Sequence, residues 1–424
     1  MAVSTVALTD IDLPATEWSR RALDVARVSA IFIVLAAGLS TAATSIGTVV
    51  FMVALAASGR LPRAIAQSYG TLAGKAILAY LACVLLSALW SDAGVLVGVR
   101  DFWAWRKLVF LFIALPLFMD DRWKLRLCVA LTITCGVAVA ASFGMHALAI
   151  LGRDGGIGVV LNNHSTQSSV FAVAAACSAY LGWQARGWQR SVYAAVSIAL
   201  VVNVLFFGSG RTGYLAVIGV AMYGAIVGGG GRRALQAGAG VAVVLLLAYA
   251  TSPVFSTRVN QTFDEARQAM QAQEVTSVGI RIVFARNTLA LISERPILGY
   301  GLGSFRPTYA AYVEERFTGV LATRSGDPHN QYLYIVFEQG LVGLLLFGLM
   351  IVCLYRSFPA TPYGLLAGCA LTAWCIGSLF SSHFRTFPES HFNAFFIAVL
   401  GAGTMRVGAR SRDDAVAKGP DTNG

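Results

Sequence analysis

RSGDPHNQYLYIVFEQGLVGLLLFGLMIVCLY, residues 324–355, decides the fold. A polar opening, Asp327-Pro328-His329-Asn330, runs directly into an apolar stretch long enough for the roughly 20 residues of a membrane-crossing helix. Asp327 suits a helix N-cap and Pro328 the first helical position, so His329 is expected in the first turn. The positive end of the helix dipole disfavours imidazolium there, which leaves a neutral ring able to accept a proton. At about 100° per residue, Gly340 lies about 20° and Gly343 about 40° from the direction of His329. Small residues on one stripe let another helix pack closely, so the spacing predicts a histidine held at the top of a packed helical seam.

The remainder of the chain has the same character. Of its 424 residues 57% are hydrophobic and only 12% charged, against about 25% charged in soluble domains. The net charge of +11 would suit nucleic acid only if the basic residues gathered on one soluble face. They are scattered between apolar segments instead, which excludes that class. Apolar runs at 24–40, 41–59, 72–90, 107–119, 124–145, 166–183, 191–207, 214–229, 234–251, 332–354, 363–380 and 391–407 predict an all-α polytopic membrane protein with about twelve transmembrane helices.

Orientation follows from Lys and Arg in the connecting segments. With the N-terminus inside, inner segments hold eighteen of these residues and short outer ones six. That asymmetry places both termini in the cytoplasm and the long segment 252–331 outside. The chain then divides into a helical membrane part (1–251), an outer helical loop or cap (252–331), a second membrane part (332–407) and a disordered tail (408–424). The first helix is expected to serve as an uncleaved start, since no early basic cluster and apolar core mark a signal peptide. All seven cysteines fall in expected spans and read as packing residues.

Polar chemistry collects at the outer face. His146, His164, His329, His383 and His391 all map to outer helix ends or outer loops, while the spans hold few ionisable groups, Glu338 being the main exception. Transporters keep such groups near the midplane, so their scarcity argues for a site at the outer surface. In the long loop, FDEARQAMQAQ (263–273) predicts a short polar helix. GIRIVFARNTLALISERP (279–296) predicts another, with Ile282, Ala285, Leu289 and Ile292 on one stripe; RPTYAAYVEERF (306–317) predicts a third. Arg281 and Arg286 stand five residues apart, about 140° around the helix, too far to grip one anion from one face. Arg211 is the single charge in the outer turn of FFGSGRTGYLAV (206–217), whose glycines would let backbone approach a ligand. Arginine also outnumbers lysine outside, and its guanidinium fork matches phosphate oxygens.

These residues resemble a known family. HNQYLYIVFEQGLVG (329–343) fits H-[N/S/Q]-x9-G-x-x-[G/T/Y], the signature associated with bacterial O-antigen ligases. GSGRTGYLA (208–216) is similar to the short arginine loop of that superfamily, and GIRIVFARNTLALISERPILGYGLGSF (279–305) to its outer-loop segment. The resemblance implies an inner-membrane glycosyltransferase with a periplasmic site. Such an enzyme moves polysaccharide from an undecaprenyl-diphosphate carrier to a sugar hydroxyl of lipid A-core oligosaccharide, inverting the anomeric centre with no cofactor, nucleotide or metal.

In that reading His329 is the general base, and Arg211 and Arg281 stabilise the leaving diphosphate. Asn330, Arg286, Arg306, Arg324, Arg385, Lys107 and Glu389 are the candidates for substrate binding. Gly340 and Gly343 form the packing motif. The acidic pairs Asp120-Asp121 and Asp413-Asp414 both map to the cytoplasm, so no outer D-x-D metal pair is expected. Related members of the superfamily, O-antigen polymerases and protein O-oligosaccharyltransferases, use the same donor with other acceptors. A translocator without chemistry would need a polar path through the spans, and none is visible.

Overall fold

The computed structural model describes residues 16–150, 158–208, 210–253, 256–257, 259–261 and 277–403, and every regular element among them is helical. The expected polar helix at 263–273 and the tail from 408 lie outside the described residues. In chain order the helices are α1 (Glu17–Ala36), α2 (Thr41–Ala57), α3 (Leu61–Tyr69), α4 (Leu72–Leu86), α5 (Val95–Asp101), α6 (Arg106–Ala114), α7 (Asp121–Ile150), α8 (His164–Gln184) and α9 (Trp188–Val202). They continue with α10 (Arg211–Thr251), α11 (Ser277–Glu294), α12 (Phe305–Arg316), α13 (Gln331–Ser357), α14 (Pro362–Gly377) and α15 (Phe387–Gly401).

The protein is a polytopic helical membrane protein. Among the described residues five stretches are long and apolar enough to cross a bilayer: Leu72–Trp90, Asp121–Ala149, Trp188–Phe207, Thr212–Arg232 and Gln331–Ser357. A sixth arises if α2 and α3, bent by 97° at their junction, act together. The other expected spans form helices that are shorter or less apolar. The reason shows in α15, where every residue from Pro388 to Gly401 is buried. A helix walled by α1, α6 and α14 meets neighbours rather than lipid, so it needs neither full span length nor a greasy outer face. Outward-facing Phe32, Val53, Leu246 and Leu345 form the complementary apolar exterior.

Local chemistry sets the breaks. Ser40, Thr71 and Thr361 cap α2, α4 and α14 through their hydroxyls. Pro116 sits in a tight turn after α6, so the expected span 107–119 ends early at Ala114. Gly230, with φ 72°, joins the two halves of α10, which correspond to the separate runs expected at 214–229 and 234–251.

Helix α13 departs most from its expected form. It begins at Gln331 with Asn330 as its N-cap, so Asp327, Pro328 and His329 precede the helix rather than open it. It is then broken at Gly340 (φ 67°, ψ −168°), which voids the angular count from His329 to Gly340 and Gly343. The break is filled by residues 296–301. Leu341 and Val342 donate to the carbonyls of Pro296 and Ile297 at 2.8 and 3.3 Å; Tyr300 and Gly301 donate to Phe337 and Glu338 at 2.8 and 2.9 Å. Backbone groups freed inside a membrane protein must find such partners. A Cβ on Gly340 would lie 2.0 Å from the Ile297 carbonyl oxygen, so the glycine admits a loop and not a helical seam.

Glu338 fastens the same junction. Fully buried, it accepts from Gly303 N–H at 2.9 Å, Tyr334 O–H at 2.8 Å and Gln339 Nε2 at 3.2 Å. Above it Phe284, Leu291, Tyr300, Phe305, Tyr309, Val313, Tyr334 and Phe337 make a second, largely aromatic core that ties α11 and α12 to α13. The buried stripe of α11 is therefore Phe284, Asn287, Thr288 and Leu291, while Ile282 and Leu289 of the expected stripe face outward. Of the expected stripe Ile292 packs on the aromatic core that Phe284 and Leu291 complete.

Candidate functional site

The DPHN segment is a latched loop. Asp327 Oδ1 accepts the His329 N–H at 2.6 Å and the Ser382 hydroxyl at 2.8 Å. Asn330 Oδ1 accepts from Tyr332 and Leu333 N–H, and its Nδ2 donates to the Leu379 carbonyl at 3.0 Å. Gln331 N–H donates to Ser378 O at 2.9 Å, and its side-chain oxygen accepts from Phe384 N–H at 3.1 Å. The loop before α13 is thus sewn to the loop between α14 and α15. These bonds hold His329 at φ 55°, a left-handed conformation that non-glycine residues keep only when their surroundings impose it.

Its imidazole stacks on Phe284, with centroids 5.8 Å apart and planes at 18°. Burial pushes the ring below the ordinary histidine range; Asp327 pulls it back up, and the charge of Arg281 presses it down again. The ring is therefore held neutral near neutrality. Half-burial beside a guanidinium, rather than a place in the first helical turn, is what favours the neutral ring.

His329 opens into a cleft of about 730 Å³ lined also by Arg281, His383, Glu389, Gly210 and Thr212, among others. Three helices begin at its walls: α8 with Asn163, His164 and Ser165, α10 with Gly210 and Thr212, and α15 with Thr386, Phe387, Pro388 and Glu389. Asn163 caps α8 by accepting from Thr166 N–H at 2.9 Å. Helix N-termini present unpaired N–H groups and positive dipole ends, the arrangement that suits an anion. Close contact between α8 and α10 makes the convergence possible. A Cβ on Gly213 would fall 2.2 Å from Ser168 Cβ, and one on Gly210 would lie 3.1 Å from the His164 carbonyl. Gly213 thus serves packing between the two helices, while Gly210 both packs against α8 and lines the cleft. Arg211 is the first residue of α10, between the lining residues Gly210 and Thr212.

Glu389, also in the cleft lining, is buried and accepts a hydrogen bond from the Thr166 hydroxyl. Burial lowers the His383 ring, while Glu389 and Asp327 oppose that shift. Among the described residues no group of three or more His, Cys, Asp and Glu forms a metal-binding cluster.

The other candidates are dispersed. Arg286 is exposed on α11 and does not line the cleft. Arg306 and Arg324 border a separate open depression of about 570 Å³, where Arg324 pairs with Glu314 at 2.5 Å. Arg385 and Lys107 were among the candidates for substrate binding. Instead Arg385 pairs with Asp101 at 2.5 Å and lies 4.0 Å over the Tyr334 ring. Lys107 is buried and donates to the carbonyls of Ala104 and Arg385 at 2.9 and 2.8 Å. His391, expected at a helix end, is buried in α15. Asn330 acts as cap and latch. His164 and the Asp327–Ser382 latch are what the sequence left unassigned; outer placement of His164 was the available signal, while the latch joins residues 55 positions apart.

Residues 196–348 match a family model described as O-antigen ligase. The match covers 153 of the 424 residues. No curated protein matches the chain. The matched segment runs from within α9 through the break in α13, so it contains Arg211, Arg281, His329, Gly340 and Gly343. The cleft is larger than the segment: α8 and α15, with His164 and Glu389, come from outside the match and complete its walls.

Proposed function

We propose that this protein is a bacterial inner-membrane glycosyltransferase that moves O-antigen polysaccharide from undecaprenyl diphosphate to a sugar hydroxyl of lipid A-core at the periplasmic face. The observation that carries the reading is one cleft holding a neutral histidine beside an arginine, with three helix N-termini around it. The acceptor hydroxyl oxygen attacks the anomeric carbon, its proton passes to the His329 imidazole, and the bond from that carbon to the diphosphate oxygen breaks. Attack opposite the leaving group inverts the centre. The donor is already activated, so no nucleotide enters. Negative charge gathering on the diphosphate is met by Arg281 and Arg211 and by the N-termini of α8 and α10. Glu389, which also lines the cleft, is assigned to the acceptor sugar.

Reconstitution with a lipid-linked glycan and purified lipid A-core tests this reading. Transfer to lipid A-core that persists in chelator is expected. Lengthening of the lipid-linked glycan itself would mark a polymerase, and strict metal dependence would overturn the arginine account.

A further inference from the structure

Among the described residues only two other than glycine keep a left-handed backbone, His329 at φ 55° and Asn162 at φ 33°. Both line the same cleft. The first has a part in the proposed reaction; the second has none, and it lies outside the segment that the family model matches. A residue stays in such a conformation when its surroundings over-determine it, and here they form a frame. Gln167 accepts from Val160 and Leu161 N–H at 2.7 and 3.1 Å. Its Nε2 donates to the Gly158 carbonyl at 3.2 Å and to Asn203 Oδ1 at 3.3 Å. Asn203 opens the π-helical turn Asn203–Phe207 and donates to the Ser142 hydroxyl at 2.9 Å, and that hydroxyl donates to the Gly158 carbonyl at 2.6 Å. On the other side Asn163 caps α8. Side chains from α7, α8 and the end of α9 thus hold the backbone that leads into Asn162. Its own amide is left exposed, with no hydrogen-bond partner among the described residues.

We propose that Asn162 is a specificity-determining residue that recognises the sugar joined directly to the diphosphate of the donor, an assignment that rests on the functional reading above. In that reading the diphosphate meets the N-termini of α8 and α10, and Asn162 stands two residues before α8 begins. The sugar bonded to the diphosphate is then the part of the glycan nearest to this amide. The chemistry of the side chain fits. Diphosphate calls for charged donors, which Arg281 supplies in the cleft. A sugar ring is neutral and carries hydroxyl or acetamido groups that both give and take hydrogen bonds. An asparagine offers two N–H donors and a carbonyl acceptor to match them. With the backbone already fixed, little ordering is lost when the sugar docks.

Asn162→Gly provides the test, since it deletes the amide and keeps a residue at ease in left-handed backbone. The full-length protein in nanodiscs is titrated with farnesyl diphosphate and with its glucosyl and N-acetylglucosaminyl forms. Wild-type protein is expected to bind at least one glycosyl form more tightly than the bare lipid. In the variant the ratio of the two affinities should fall about three- to tenfold, the net worth of a hydrogen bond, while the affinity for bare lipid stays the same. A ratio that the variant leaves unchanged, or no preference for either sugar in the wild type, overturns the proposal. Asn162→Asp also tolerates this backbone and repeats the ratio should the glycine variant not fold. In transfer assays the KM for donor should rise by the same factor with kcat unchanged, as loss of uniform binding requires. A rise confined to the KM for acceptor would put the amide on the other substrate and overturn the assignment. Wild-type protein that shows the sugar preference yet transfers nothing would strike the functional reading, while the affinity ratio still decides the role of Asn162.

Discussion

Helix α13 carries two irregular places that use their backbone for opposite ends. At its start, Asp327 to Asn330 are held by side-chain bonds to the 378–386 loop, and the histidine so fixed opens into a cleft. One third of the way down, at Gly340, the helix breaks completely, yet residues 296–301 fill the gap and Glu338 is sealed within it. The upper irregularity leaves a titratable ring with open space before it. The lower one directs freed backbone groups to new partners and offers nothing to a ligand. Unusual backbone alone therefore does not mark a site; polar groups left facing space do.

The largest effect expected from breaking this contrast is at the upper place. His329→Ala should lower transfer by about 10²- to 10⁴-fold, the range of a lost general base, with thermal stability in detergent unchanged. At the lower place the signs reverse. Gly340→Ala imposes a Cβ 2.0 Å from a carbonyl oxygen on a left-handed residue. It should cost at least about 2 kcal/mol, read as a lower melting temperature and reduced folded yield, with any protein that folds still carrying an intact cleft. Asp327→Ala should keep the fold and lower kcat by about tenfold, because the latch positions the ring and does not take the proton. A drop equal to that of His329→Ala would assign Asp327 a direct part.

The smallest expected effect is in pH dependence. His329 works deprotonated, and its titration lies below the ordinary histidine value. The rate should therefore hold as pH falls through 6.5 and decline only on the acid side of it. Replacing Arg281 by Gln removes a charge that presses the ring down, so the acid limb should move to higher pH. A shift to lower pH would contradict the placement of that guanidinium.

Much of this contrast was hidden in the sequence. Membrane-helical class followed from composition, and His329, Arg281 and Glu389 could be picked out because each is an ionisable residue expected on the outer side of a chain otherwise poor in them. The break at Gly340 could not be read, because a glycine inside an apolar run has the same appearance in a close-packed seam and in a broken helix. What distinguishes them is the loop at 296–301, some forty positions away. Arg385 and Lys107 were misplaced for a related reason: positive charge near a span end reads as interfacial until Asp101 and two carbonyls are found beside it. The stripe on α11 held only in part, Ile292 reaching the aromatic core while Ile282 and Leu289 face outward, because apolar periodicity gives a face without saying which neighbour will receive it.

The central claim is that the His329 ring takes a proton and does not merely pack on Phe284. Adding imidazole to reconstituted His329→Ala protein separates the two most directly. The account predicts that transfer, nearly absent in the variant, is partly restored in proportion to the unprotonated imidazole present. Wild-type activity in the variant, or a loss that imidazole leaves unchanged while a packing substitute such as His329→Phe restores it, would contradict the claim.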